Sequence, residues 1–177
     1  VPTLMPTIHK KICLLGDFAV GKTSLIRRYV ENRFDDKYLS TIGTKISRKS
    51  LEVQTGSETV QLMLLIWDLA GGEKFDQMMS TYYRGASGAV IVCDLTRPET
   101  LEPATRYVTD FSSINPHAPF VFAGNKADLI ADQAVSPETL EGMADQYQTG
   151  VFVTSAKTGE NVEALFQYLG KQIISSK

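Results

Sequence analysis

The chain has 177 residues, enough for one domain whose core needs neither disulfide nor metal to hold it. Eighteen Lys and Arg against 20 Asp and Glu give a formal charge of −2, and no basic cluster is dense enough for a nucleic-acid footprint or a polybasic membrane anchor. No apolar run reaches the length of a membrane span, and the two cysteines, Cys13 and Cys93, each sit inside an apolar run, as small core residues of a reduced protein do.

Residues 1–7 carry two prolines and no periodicity, so they are expected to be a flexible leader or an expression remnant, with the domain spanning 8–177. They lack the apolar stretch of a signal peptide, and the closing "QIISSK" offers no cysteine for prenylation. The expected location is cytoplasmic, with membrane association left to a partner or to a tail absent from this chain. Lys11–Gly16, "KICLLG", predicts a strand ending in a turn, and "KTSLIRRYV" after it has the spacing of a helix through Leu25, Ile26, Tyr29 and Val30. The doublets Lys10-Lys11 and Arg27-Arg28 are expected to be solvated. Thr44–Val53 and the alternating "TVQLMLLIWDL" predict two strands, joined as a hairpin through the polar "QTGSET" with Gly56 in it. Gly88–Thr96 and Phe120–Asp128 predict buried strands, separated by a helix that prolines open at "PETLEPATRYVTDFSSI". Ser136 as N-cap and Pro137 at the first helical position start another helix, "VFVTSAK" is a last short strand, and Val162, Leu165, Phe166 and Leu169 share one face of a closing helix. Such alternation predicts an α/β fold, a mostly parallel sheet with one antiparallel edge strand and helices on both faces.

"GDFAVGKT", Gly16 to Thr23, fits G-x-x-x-x-G-K-[ST] and lies between a predicted strand and a predicted helix, where a phosphate cradle has to be. Gly16 and Gly21 permit backbone conformations that aim successive N–H groups inward, and the helix N-terminus adds partial positive charge for α- and β-phosphates. Lys22 is expected to reach the β- and γ-phosphates and the Thr23 hydroxyl to ligate Mg²⁺. A glycine-rich turn with no ligand is the plainer alternative, and the flanking strand and helix disfavour it. The base is read elsewhere: "NKAD" follows a strand at its carboxyl end, where ligands sit in open α/β sheets. Asp128 can accept both the ring N–H and the exocyclic amine of guanine, a pair adenine does not present. Asn125 can brace the loop, and the Lys126 stem can lie along the base. "TSAK", Thr154 to Lys157, after the next strand supports the same assignment.

Six motifs in one order, "GDFAVGKTS", "YLSTIG", "WDLAGGEKF", "YYRGA", "GNKAD" and "TSAK", resemble the Ras-like small GTPases over residues 8 to 174. "YYRGA" and the tryptophan before Asp68 resemble the Rab type. The resemblance implies a P-loop GTPase fold with a six-stranded sheet, acting as a monomeric switch that hydrolyses GTP to GDP with Mg²⁺. It implies a nucleotide site drawn from Asp17, Phe18, Ala19, Val20, Gly21, Lys22, Thr23, Ser24, Phe34, Tyr38, Thr41, Gly71, Asn125, Lys126, Asp128, Ser155, Ala156 and Lys157. Within it, Phe34 packs edge-on against guanine, the Ala156 N–H meets the base oxygen, Lys157 supports that loop and Tyr38 closes over the phosphates. Thr41 serves Mg²⁺ through its hydroxyl and the γ-phosphate through its N–H, Asp68 holds Mg²⁺ through a water, and the Gly71 N–H touches the γ-phosphate. Residues 33–43 and 70–82 become switches that meet effectors, exchange factors and activating proteins. The methionines of "MMSTYY" suit adaptable partner contacts, or else face the core as a helix turn.

Two departures bear on chemistry. Gly72 stands where the family usually carries the glutamine that orients the attacking water, so the expected catalytic group of Lys22, Thr41, Gly71 and Gly72 lacks that side chain. Phe18 stands where the family usually has glycine or another small residue, and its ring is expected to crowd either an activating arginine or the attacking water. Slow hydrolysis follows, and a pseudo-GTPase that binds GTP without useful turnover is the alternative. "NKAD" and "TSAK" argue against a third, an ATP-using kinase or ATPase. Glu73, beside Lys74, reads as an exposed residue rather than a substitute base, and His9 and His117 as surface groups.

Overall fold

The computed structural model describes residues 5–36, 44–69 and 76–176, the side chains of 76–78 excepted. The aliphatic runs form a six-stranded sheet from β1 (Thr7–Gly16), β2 (Thr44–Thr55), β3 (Glu58–Leu69), β4 (Gly88–Asp94), β5 (Phe120–Asn125) and β6 (Val151–Val153). Its order is β2-β3-β1-β4-β5-β6, with β2 antiparallel to β3 and every other pair parallel, as the sequence predicts. β2 and β3 are joined by a tight turn in which Gly56 takes a φ of 60°, the left-handed conformation that glycine adopts without steric cost.

Because side chains alternate along a strand, each central strand supplies two cores. Ile12, Leu14, Val90, Val92, Val121 and Ala123 face one side, where Leu25, Ile26 and Tyr29 of α1 (Lys22–Glu31) and Leu165, Phe166 and Leu169 of α5 (Val162–Ser175) cover them. Cys13, Leu15, Ala89, Ile91 and Phe122 face the other, under α2 (Asp76–Tyr83), α3 (Leu101–Ile114) and α4 (Pro137–Gln146). Gly88–Asp94 is accordingly buried at every residue, which is why it carries no polar alternation. The predicted face of α5 is wholly buried, each side chain contributing about 1.5–3 kcal/mol, and Tyr29 of α1 stacks on Phe166 at 4.0 Å. Ser136 caps α4 as predicted, its hydroxyl accepting the Thr139 N–H at 3.1 Å with Pro137 next in line.

Several boundaries differ from prediction. β1 begins at Thr7, one residue inside the expected leader, because its polar first half is held by main-chain pairing with Gln61 to Leu64, which hydrophobic pattern does not report. α2 adds a helix that the strand and helix patterns do not announce. Met79 and Tyr83 within it are buried in the second core, so for these two the core-facing alternative is the one observed. Lys11 is not simply solvated: its Nζ sits 3.8 Å from the centre of the Trp67 ring and donates to the Arg84 carbonyl at 3.0 Å. Both cysteines are buried as expected, and burial pushes each thiol up to about 12, so neither is a nucleophile. His9 and His117 lie on the surface. Among the described residues no helix is long and apolar enough to cross a membrane.

Candidate functional site

The carboxyl ends of β1, β3, β4, β5 and β6 meet at one edge of the sheet, and every described residue of the predicted site lies on the segments that leave it. β1 ends at Gly16, where a Cβ would lie 2.5 Å from the Val92 carbonyl oxygen and 2.9 Å from the Val20 side chain. That glycine is thus demanded by a close approach rather than by the conformational freedom expected of it. Gly21 does need that freedom: its φ is 102°, and a Cβ would run into the Asn125 amide.

Between these glycines three successive carbonyls are each held from outside. Asn125 Nδ2 donates to Val20 at 3.0 Å, Lys126 Nζ to Ala19 at 2.9 Å and Arg97 Nη2 to Phe18 at 2.8 Å. In a trans peptide the carbonyl of one residue and the N–H of the next point in opposite directions. Holding carbonyls 18, 19 and 20 outward therefore turns the N–H groups of Ala19, Val20 and Gly21 inward, the arrangement of a backbone anion nest at a helix N-terminus. Ala19 takes the left-handed φ of 61° that such a nest requires.

Lys22 opens α1 with its Nζ on the carbonyls of Gly16, at 2.9 Å, and Asp17, at 3.2 Å. It is only 7% exposed, and burial lowers its pKa to about 8 against the opposing pull of Asp68 and Asp17. A cation kept from water in this way is stabilised by an anion placed beside it. Asp17 Oδ1 accepts the Phe18 N–H at 2.8 Å, while the Phe18 ring is 56% exposed and stands outside the loop. Ser24 is half-buried in the first turn of α1.

Thr23 Oγ1 donates to Asp68 Oδ2 at 2.5 Å, so two of the three expected Mg²⁺ residues converge, one on α1 and the other buried near the end of β3. Paired hard oxygens beside an anion cradle fit Mg²⁺. Thr41, Tyr38, Gly71, Gly72 and Glu73 lie outside the described residues.

The two base loops are locked together. Asn125 Oδ1 accepts from Thr154 Oγ1 at 3.1 Å, and Ser155 Oγ donates to Asp128 Oδ1 at 2.8 Å. The Ala127 N–H reaches the Thr154 carbonyl at 3.0 Å. Phe34, just past α1, packs partly buried against the first core. The Lys126 head is committed within the protein: besides the Ala19 carbonyl, Nζ pairs with Asp94 Oδ2 at 2.9 Å. Lys157 Nζ lies 3.8 Å from Asp36.

Three charged residues outside the expected site act here. Arg28, expected to be solvated, instead spans from α1 to the last base loop, Nε donating to the Ala156 carbonyl at 2.7 Å and Nη2 to that of Lys157 at 2.5 Å. Those two carbonyls give it a better set of partners than water, because the fork of a guanidinium matches them together. Asp94 closes β4 and Arg97 lies in the turn after it. A carboxylate closing the apolar run "VIVCD" at the ligand edge was the available signal for Asp94; Arg97 offered none.

Comparison with known proteins agrees with this geometry. A sequence model described as the Ras family matches residues 11–175. The GTP-binding protein ypt5 of Schizosaccharomyces pombe is 38% identical over 97% of this chain and 81% of its own length. Ras-related protein RABF2a of Arabidopsis thaliana is 36% identical over 94% and 82%, and Ras-related protein Rab-31 of Rattus norvegicus 37% over 96% and 86%.

Proposed function

The chain belongs to the Ras family of small GTPases, within its Rab type, and from that membership we propose that it is a guanine-nucleotide switch whose bound GTP is hydrolysed slowly. The observation that carries the nucleotide half is the triple hold on carbonyls 18, 19 and 20, which turns three N–H groups toward one point beside the Lys22 ammonium. Those donors bind the α- and β-phosphates, and Lys22 neutralises the β,γ bridge region. Asp128, oriented by Ser155, accepts the two guanine donors; Ala156, its backbone steadied by Arg28, offers an N–H to the base oxygen. Phe34 lies along the base edge. Thr23, Asp68 and Thr41 would hold Mg²⁺, which would supply charge neutralisation to the phosphates.

Slow hydrolysis rests on Gly72, which has no group to orient the attacking water, and on the exposed Phe18 ring, which meets an arginine arriving from an activating protein before that arginine meets phosphate. In Ras such a partner raises the rate by about five orders of magnitude, so losing both aids leaves a switch that stays on for hours or longer. Segments 33–43 and 70–82 face effectors, exchange factors and activating proteins, and the group missing at residue 72 is supplied in trans when turnover is needed.

Single-turnover decay of bound GTP, measured with and without cell extract, tests this. Slow decay alone and faster decay with extract is the expected result. Absence of decay in both would overturn the cycling switch in favour of a module that holds GTP permanently.

A further inference from the structure

Resting on the guanine-nucleotide reading above, we propose that Arg97 is a positioning residue for nucleotide retention: pinned by the buried carboxylate of Asp94, it holds the Phe18 carbonyl outward and so keeps the Ala19 N–H aimed into the phosphate cradle. Ala19 is the strained point of the loop, a non-glycine residue at a φ of 61°. Its backbone stays there because both flanking peptides are gripped, Phe18 O by Arg97 at 2.8 Å and Ala19 O by Lys126 at 2.9 Å. The Lys126 grip comes from the base loop. The Arg97 grip comes from the turn after β4, which borders the base loop through the Leu95 N–H on the Asn125 carbonyl at 3.0 Å but holds the cradle through a different carbonyl from the one Lys126 holds.

Both cations converge on one oxygen. Asp94 Oδ2 lies 2.9 Å from Arg97 Nε and 2.9 Å from Lys126 Nζ, while Oδ1 accepts the Thr96 N–H at 2.8 Å and its hydroxyl at 2.7 Å. The Asp94 side chain is fully buried, so it anchors the pair from the sheet's ligand edge. Arg97 is suited to the task because its Nε and Nη2 reach two acceptors at once, Asp94 Oδ2 at 2.9 Å and the Phe18 carbonyl at 2.8 Å. A lysine must meet both acceptors from one nitrogen, as Lys126 does for Asp94 and the Ala19 carbonyl; at position 97 the two acceptors are met by separate nitrogens of the guanidinium, and a single ammonium there is drawn to the carboxylate.

That difference separates positioning from simple charge compensation. Arg97→Lys keeps Asp94 neutralised, and is expected to melt close to the unaltered protein yet to release mant-GDP, in Mg²⁺ and excess unlabelled GDP, about five- to twentyfold faster, the span expected for losing one charge-assisted bond from the retained state. Arg97→Ala is expected to release as fast or faster and also to melt lower, since it leaves a buried carboxylate one cation short. In both variants the preference for GDP over inosine diphosphate stays as in the unaltered chain, because the base loop keeps Asp128. Release from Arg97→Lys at the unaltered rate would overturn the proposal, and so would a collapse of the GDP preference, which would place the effect in the base loop. Failure of the unaltered chain to retain mant-GDP at all is a separate result: it would overturn the nucleotide reading itself, and this inference with it.

Discussion

Gly21→Ala tests the packing of the cradle against the base loop. The substituted residue would have to hold a φ of 102°, at a cost of about 1–2 kcal/mol for an L side chain. Its Cβ would also displace the Asn125 amide, breaking the bond to the Val20 carbonyl at 3.0 Å and the one accepted from Thr154 at 3.1 Å. Each broken bond removes about 1 kcal/mol net, so the total is about 3–4 kcal/mol. In a domain of this size that lowers the melting temperature by about 6–16 °C. Gly56→Ala is the control, since Gly56 has a φ of 60° but nothing within 4 Å of its Cβ position, and only the conformational part should appear. The assay is a thermal melt of all three proteins in GDP and Mg²⁺, followed by mant-GDP release. If Gly21→Ala melted no lower than Gly56→Ala and released nucleotide at the unaltered rate, the close approach of Asn125 would have no energetic meaning and the account of the cradle would fail.

Asp128→Ala should abolish the preference for guanine over adenine nucleotides in competition binding, and a retained preference would reject the base assignment. Gly72→Gln should accelerate single-turnover GTP hydrolysis, by about one to two orders of magnitude if that glutamine is the missing aid; no change would shift the defect to Phe18. Acid should also destabilise the fold through Asp94. Burial works to raise its carboxyl, but the bonds from Thr96, Lys126 and Arg97 outweigh burial and hold it below the ordinary value. A depressed carboxyl stabilises the fold above its unfolded pKa of about 3.9, and that contribution is lost as pH falls through the folded value. Melts between about pH 5 and pH 2.5 should therefore fall more steeply for the unaltered chain than for Asp94→Asn. Equal slopes would show that the network contributes nothing to the pH dependence.

The sheet and the cradle were legible because both rest on local pattern. Continuous apolar runs name β4 and β5, Ser136-Pro137 names the start of α4, and the spacing from Gly16 to Thr23 names the phosphate loop. What escaped was fixed by partners distant in the chain. The first half of β1 is polar and is a strand only because β3 pairs with it. Arg28 meets Ala156 across 128 positions and Arg97 meets Phe18 across 79, and contacts at that separation leave no trace in the neighbouring sequence. Asp94 lay between these cases, since a carboxylate at the end of a buried strand needs partners, but the strand does not say which.

The sheet ends in outer strands of very different length, three residues in β6 and twelve in β2. A twelve-residue rim with one flank unpaired among the described residues is long enough for a second copy to stack on. Lys45, Arg48 and Lys49 stand on it. An antiparallel copy centred on Ser47 would set Lys45 against Lys49, and an in-register parallel copy would set each cation against itself. Each like-charge pair works against pairing by about 0.2–1 kcal/mol. The longest rim of the protein is thus guarded against self-stacking by charge, a guard that weakens as salt is raised.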